Sequence, residues 1–160
     1  MSTAARLGLA AVWLYAGLPK LFGDPTLNEL AVSAFRVLPD WAVRPVAGAQ
    51  PALEVALGVL LLAGLGVRVA AVVSAMVLLS YIAGIVWVWA HGYRIDCGCF
   101  SKGGEDPSAT GLGYAKDIAR DAGFLVLAAW LAVAPRSWAA LGPRSRFPAP
   151  LESSPAPANQ

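Results

Sequence analysis

The chain has 160 residues, 58% of them hydrophobic and 14% charged, with a net charge of +2 and a mean hydropathy of +0.60. That mixture lies outside the range of water-soluble domains, and the apolar residues gather in blocks near the roughly 20 residues a bilayer-spanning helix needs. The basic residues are dispersed, with neither a clustered stripe nor interleaved aromatics, which excludes a nucleic-acid surface.

Arg6 precedes an apolar run in the manner of a secretory signal, but no small-x-small cleavage site follows and the pattern continues through Pro19 and Lys20. It reads as a retained first span, about 5–22, closed by Gly23, Asp24 and Pro25, with Gly8, Ala11 and Gly17 available for close helix approach. Residues 26–45 mix Leu30, Val32, Phe35 and Trp41 with Asn28, Glu29, Arg36, Asp40 and Arg44. They are too polar to cross and predict a short amphipathic element at the membrane interface.

A second span, about 46–67, holds one ionisable residue, Glu54. A corner with Gly64, Gly66 and Arg68 leads into an uncharged third span, about 69–90, which ends in an aromatic girdle of Trp87, Trp89 and Tyr93 at headgroup depth. A polar loop, 91–113, follows and carries His91, Asp96, Cys97, Gly98 and Cys99. The last apolar run, 122–134, makes only about 20 Å of helix against a hydrocarbon core of roughly 30 Å. It therefore has to recruit the turn containing Asp117, Arg120 and Asp121, giving a fourth span of about 114–134 with Pro135 and Arg136 as its exit. The tail is rich in Pro, Ser and Ala. These elements predict an all-α membrane protein: a four-transmembrane-helix bundle, 1–142, with a short interfacial helix after the first span and a disordered C-terminal tail, 143–160.

Four spans put both termini on one face with Arg6, Arg68, Arg136, Arg144 and Arg146, and Glu152 as that face's acid. The other face has a similar count of Lys and Arg, balanced by acids that do not enter the positive-inside rule. The expected orientation is a multi-pass protein of the cytoplasmic membrane with cytoplasmic termini and an extracytoplasmic cysteine loop.

Two cysteines one glycine apart exclude a disulfide framework, a four-cysteine zinc site and C-x-x-C-H haem attachment. A disulfide between Cys97 and Cys99 would close so small a loop that it restrains the unfolded chain very little, so a structural staple makes poor sense. The Cα atoms reach the roughly 4.4–6.8 Å a bridge requires only if the backbone bends, which Gly98 allows. Such a strained bond is easily reduced and suits exchange. An inert reduced pair, a zinc or copper half-site completed by His91 or a partner, and lipidation remain the alternatives.

Glu54, Asp117, Arg120 and Asp121 lie at similar depth, with Lys20 closing the outer end of the first span. They are expected either to meet in one polar pocket beneath the cysteine loop, with Glu54 and Asp121 as proton carriers, or to form salt bridges that lock the bundle. His91 is placed to pass protons to thiols or to a quinone ring, or to anchor the interface. Trp87 and Trp89 read as belt residues, with contact to a quinone as the functional option.

Trp13, Ala16-Gly17 and Pro19-Lys20 in the first span, Pro51-Ala-Leu-Glu54 with Gly58 in the second, Asp96-Cys-Gly-Cys-Phe100 in the loop and Arg120-Asp121 opening the fourth together resemble the methylamine-utilisation MauE family, within the wider DoxX-like membrane proteins. The resemblance covers about 5–134, and Cys-Gly-Cys-Phe with the downstream Arg-Asp is its most specific part. Family members typically have a glycine after that Phe, whereas Ser101 and Lys102 intervene here. The resemblance implies a four-helix inner-membrane protein linked to disulfide handling outside the cytoplasm, often beside a thioredoxin-like partner and, in the methylamine system, to maturation of a disulfide-rich dehydrogenase.

The resulting expectation is a thiol-disulfide relay. Cys97 and Cys99 exchange with an extracytoplasmic thioredoxin-like protein, electrons pass to or from a membrane carrier such as a quinone near Trp87, Trp89 and His91, and Glu54, Arg120 and Asp121 balance protons. A non-catalytic membrane anchor or assembly factor, and a small transporter or metal-handling protein, are the competing expectations.

Overall fold

The computed structural model describes residues 2–96 and 103–134. The cysteine pair and the tail expected at 143–160 lie outside the described residues. In chain order the elements are α1 (Ser2–Phe22), α2 (Pro25–Ala34), α3 (Asp40–Ala63), α4 (Val67–Ala90), β1 (Ile95–Asp96), β2 (Gly104–Glu105) and α5 (Gly111–Val133).

Two of these helices, α3 and α4, are long and apolar enough to cross a membrane. Along α4, Val69, Val72, Met76, Leu79 and Val86 are all exposed. Their spacing of three, four or seven residues places them on one stripe, a large apolar face that water would not tolerate and lipid would. Two helices of this kind are what a helical membrane protein would carry.

The amphipathic segment expected over 26–45 is not one element. Asp24 caps α2 by accepting from Thr26 N at 2.9 Å, and Pro25 opens the helix where its missing N–H costs nothing. The helix stops at Ala34, and Arg36 takes a positive φ of 53°. Pro39, with ψ near 152°, is the N-cap of α3, so the polar half of the segment opens the second long helix six residues before its expected start. Pro45 and Pro51 then lie inside α3, each deleting one N–H bond to the carbonyl four residues back. The far end of α3 also falls short of 67. Gly64 (φ 71°) takes the left-handed cap position, donating back to Leu60 and Leu61, and α4 begins at Val67. α5 runs unbroken through Asp117, Arg120 and Asp121.

α1 packs chiefly on α3, and α4 on α5. The larger core cluster joins Leu9 near the start of α1, Leu57 and Leu61 near the end of α3, Val67 and Ala71 at the start of α4, and Ala128 and Leu131 near the end of α5. Neighbouring long helices therefore alternate in direction. Lipid exerts no hydrophobic squeeze between helices, so close packing and polar bonds must hold them. The α1–α3 contact is closest at Gly17 and Gly58. A Cβ on Gly17 would lie 2.9 Å from Glu54 Cβ, and one on Gly58 would lie 2.7 Å from Leu14 Cγ. Gly8, grouped with Gly17 by the sequence, has open space around it, so the small residues of α1 do not form one seam. Trp13, almost fully buried, donates from Nε1 to Ser74 Oγ at 2.9 Å and ties this pair to α4.

Candidate functional site

Glu54 lies on α3 opposite Gly17, with 1% of its surface exposed. Three helices bring donors to it. Lys20, in the last turn of α1, reaches Oε1 at 3.1 Å and Oε2 at 3.2 Å. Tyr81 of α4 donates to Oε1 at 2.6 Å, and Gln50, one turn earlier on α3, donates to it at 3.3 Å. Asn28 of α2 donates to the Lys20 carbonyl at 3.0 Å, fixing α2 beside this cluster. A carboxylate so buried needs its charge matched and its lone pairs filled, and both conditions are met.

The α5 charges form a second group. Arg120 donates from Nε to Asp121 Oδ1 at 2.9 Å and from Nη1 to Asp117 Oδ1 at 3.0 Å. Asp121 is 2% exposed, and its Oδ2 has no hydrogen-bond partner among the described residues. Lys20 thus serves Glu54 while Arg120 serves Asp117 and Asp121, so the ion pairs divide the charges into two sets, the arrangement expected of salt bridges within the bundle, the other of the two expectations being a single pocket.

Beside the Glu54 cluster, α2, α3 and α4 border a half-open cavity of about 480 Å3. Lys20, Gln50 and Tyr81 form its polar end, and Val32, Phe35, Val46 and Trp87 are among its apolar walls. Trp87 also lies against His91, with ring centroids 3.9 Å apart. His91 Nδ1 is 2.8 Å from the Trp87 carbonyl, which can only accept, so Nδ1 carries a proton and the neutral ring leaves Nε2 as its base. Trp89 takes a different place. It packs on Tyr114 and Gly111 of α5, and neither it nor His91 lines the cavity.

The loop that carries the cysteines departs from a small antiparallel ribbon in which Ile95 faces Glu105 and Asp96 faces Gly104. Tyr114 of α5, itself buried, holds this ribbon. Its hydroxyl accepts from Ile95 N at 2.9 Å and lies 3.0 and 3.1 Å from the carbonyls of Tyr93 and Ile95. On the other side Arg36 pairs with Glu105 at 3.1 Å and lies 4.8 Å over the Tyr93 ring. Asp106 closes the following turn by accepting from the Ser108 hydroxyl and amide, which hold its carboxyl below the usual aspartate range. Cys97 follows directly on Asp96.

Sequence reasoning singled out Glu54 but not Tyr81 or Gln50, and the cysteine loop but not Tyr114 or Arg36. Gln50 had a signal in its spacing, one helical turn before Glu54. Tyr81 had another, as a hydroxyl in a span without charge. Tyr114 gave none, because its role depends on a ribbon of two residues per strand.

The family model for methylamine utilisation protein MauE matches residues 1–134. The chain belongs to the MauE family. A curated relative, the methylamine utilization protein MauE of Paracoccus denitrificans, is 37% identical over 105 residues, which are 65% of this chain and 56% of the relative. The chain thus spans little more than half the length of that protein. No solved structure matches. The MauE match takes in all five helices, both charge clusters, the ribbon and the Cys-Gly-Cys segment, and it ends where α5 ends.

Proposed function

We propose that this MauE-family chain is a thiol-disulfide relay of the cytoplasmic membrane, exchanging through Cys97 and Cys99 with an extracytoplasmic thioredoxin-like partner. A thiolate of one protein attacks the disulfide of the other, a mixed disulfide forms, and the second thiol of the attacking pair displaces it. One protein leaves as the disulfide and the other as the dithiol. His91, with Nε2 free in its neutral form, is the base assigned to the attacking thiol. Asp121, one of whose carboxylate oxygens has no hydrogen-bond partner among the described residues, suits proton transfer better than Glu54, whose two oxygens are both engaged.

The observation that carries this reading is the double anchorage of the ribbon, by Tyr114 from α5 and by Arg36 just beyond α2, immediately before Cys97. Ordering a short polar loop costs conformational entropy, and a pair of thiols that must meet a partner repeatedly gains from a fixed base. In this reading α1 and α5 cross the membrane with α3 and α4. Their lengths, about 32 and 34 Å, suffice, and α5 exposes Val126, Trp130 and Val133 on one stripe as α4 does. The termini are then cytoplasmic, α2 lies at the outer interface, and the pathway served is the methylamine utilisation that the relative's name states.

The test is alkylation of intact membranes with a mass-tagged, membrane-impermeant reagent, before and after mild reduction, with the single Ser variants at Cys97 and Cys99 as references. The relay requires that the pair be reached from outside and cycle between dithiol and disulfide. Thiols that stay reduced and unreactive, or that face the cytoplasm, would leave a membrane anchor or assembly factor as the reading.

A further inference from the structure

We propose that the cavity between α2, α3 and α4 is a binding site for a lipid-soluble quinone or quinol. At about 480 Å3 it is in the size range of small-molecule sites. Val37, Leu38, Val46 and Trp87 of its lining are all partly exposed, so the cavity opens past apolar side chains, which suits a ligand dissolved in the membrane.

The head of that ligand is specified by charge. Lys20 and Glu54 neutralise each other at the polar end, so an anionic head would compete with Glu54 and a cationic one with Lys20, each breaking a buried pair. A neutral head keeps the pair intact. It still finds hydrogen-bonding capacity, because an ammonium has three donors and an amide both donors and an acceptor. Lys20 directs two contacts to the Glu54 carboxylate and Gln50 directs one N–H there. The remaining N–H groups suit a ring carbonyl, and the Gln50 carbonyl suits a ring hydroxyl. Phe35, Tyr81 and Trp87 supply aromatic faces for a flat ring, while Val32 and Val46 suit its apolar body. A phospholipid acyl chain would use only the apolar walls and leave the polar end without a partner.

This site deepens the relay reading and rests on it for the purpose of the ligand, though not for its occupancy. As the dithiol of Cys97 and Cys99 closes to a disulfide it gives up two electrons and two protons, the amounts that convert a quinone to a quinol, and disulfide reduction by quinol is the reverse.

The experiment uses the full chain in nanodiscs of quinone-free phosphatidylcholine, titrated with decylubiquinone and separately photolabelled with an azidoquinone. Binding should saturate, and the label should fall on residues of α2 and α4 that line the cavity. Ala31→Trp, which fills the cavity from the short α2, should weaken binding about tenfold or more. Should that variant fold poorly, Gln50→Leu, which removes one polar partner and keeps the volume, should weaken it severalfold. The double variant Cys97→Ser, Cys99→Ser should bind as wild type does even though a relay would stop, which separates failure of the site from failure of the relay. Binding that does not saturate, label outside the cavity, or affinity unchanged in Ala31→Trp and Gln50→Leu would overturn the proposal.

Discussion

Tyr81 donates its hydroxyl to Glu54 Oε1 over 2.6 Å from α4, while Lys20 approaches the same carboxylate from α1. A hydrogen bond to a charged group contributes about 1.5–3 kcal/mol. Tyr81→Phe should therefore lower stability by about that amount in detergent unfolding experiments. The loss should vanish when Glu54 is already Leu, which offers no acceptor, and an equal loss in both backgrounds would mean that the hydroxyl acts elsewhere.

Removing Lys20 is the harsher change. Lys20→Met leaves a carboxylate with 1% exposure without its counter-charge, and breaking a buried pair from one side costs about 3–5 kcal/mol. The double variant Lys20→Met, Glu54→Leu should recover most of that loss, because the desolvation penalty leaves with the charge. A double variant no more stable than Lys20→Met would show that the pair is not the source.

Tyr114→Phe deprives Ile95 N of its acceptor and the ribbon of its link to α5. Hydrogen exchange at 93–96 and 104–105 should quicken by about one to two orders of magnitude, and alkylation of Cys97 and Cys99 should quicken with it. Exchange in α3 and α4 should stay as it is. Unchanged exchange in the ribbon would mean that Arg36 alone holds it.

Gly58 faces Leu14 and the Ala10 carbonyl, whereas Gly48 faces open space. Gly58→Val should destabilise by about 1–3 kcal/mol or more through overpacking of α1 on α3. Gly48→Ala should be neutral or stabilise by up to about 1 kcal/mol, since it only improves helix propensity. Equal effects at the two positions would argue against a close α1–α3 seam.

The Asp24 cap gives a pH dependence with a definite sign. The Thr26 hydroxyl first and its amide second hold the Asp24 carboxyl below its ordinary value of 3.8. A group whose pKa is depressed on folding contributes stability that is complete above the unfolded value and is lost as pH falls through the folded one. Protection of the first turn of α2 against hydrogen exchange should hold down to about pH 4 and fade only in stronger acid. Asp24→Asn should flatten that dependence.

The long helices were legible as apolar runs near the length that a bilayer would require. The same expected length led the last of them back over Asp117, Arg120 and Asp121, and α5 is helical through all three. The start of α3 was not legible, because Arg44 and Pro45 read as a boundary while the helix absorbs both. Pro45 lies in its second turn, so the bond it forgoes is one of the first that the helix would make. Glu54 and Arg120 stood out in the sequence, and so did salt bridging of Glu54 or Asp121 with Lys20 or Arg120, but the choice of partner was not legible. Which carboxylate Lys20 meets depends on how α1 rotates against α3, and that rotation is set by Gly17 and Gly58 packing on Val55 and Leu14. The cavity was illegible for the same reason, being a gap between three helices and not a property of any one.

Ser74 and Tyr81 are seven residues apart on α4, two turns along the same face, and both bond to the α1–α3 pair, through Trp13 and Glu54. In a bilayer, two apolar helix pairs can slide or roll past one another with little change in energy. These two bonds fix both freedoms at once. Slippage by a single turn would strand both polar groups together, so the bundle's alignment is set in whole steps, like a key with two teeth.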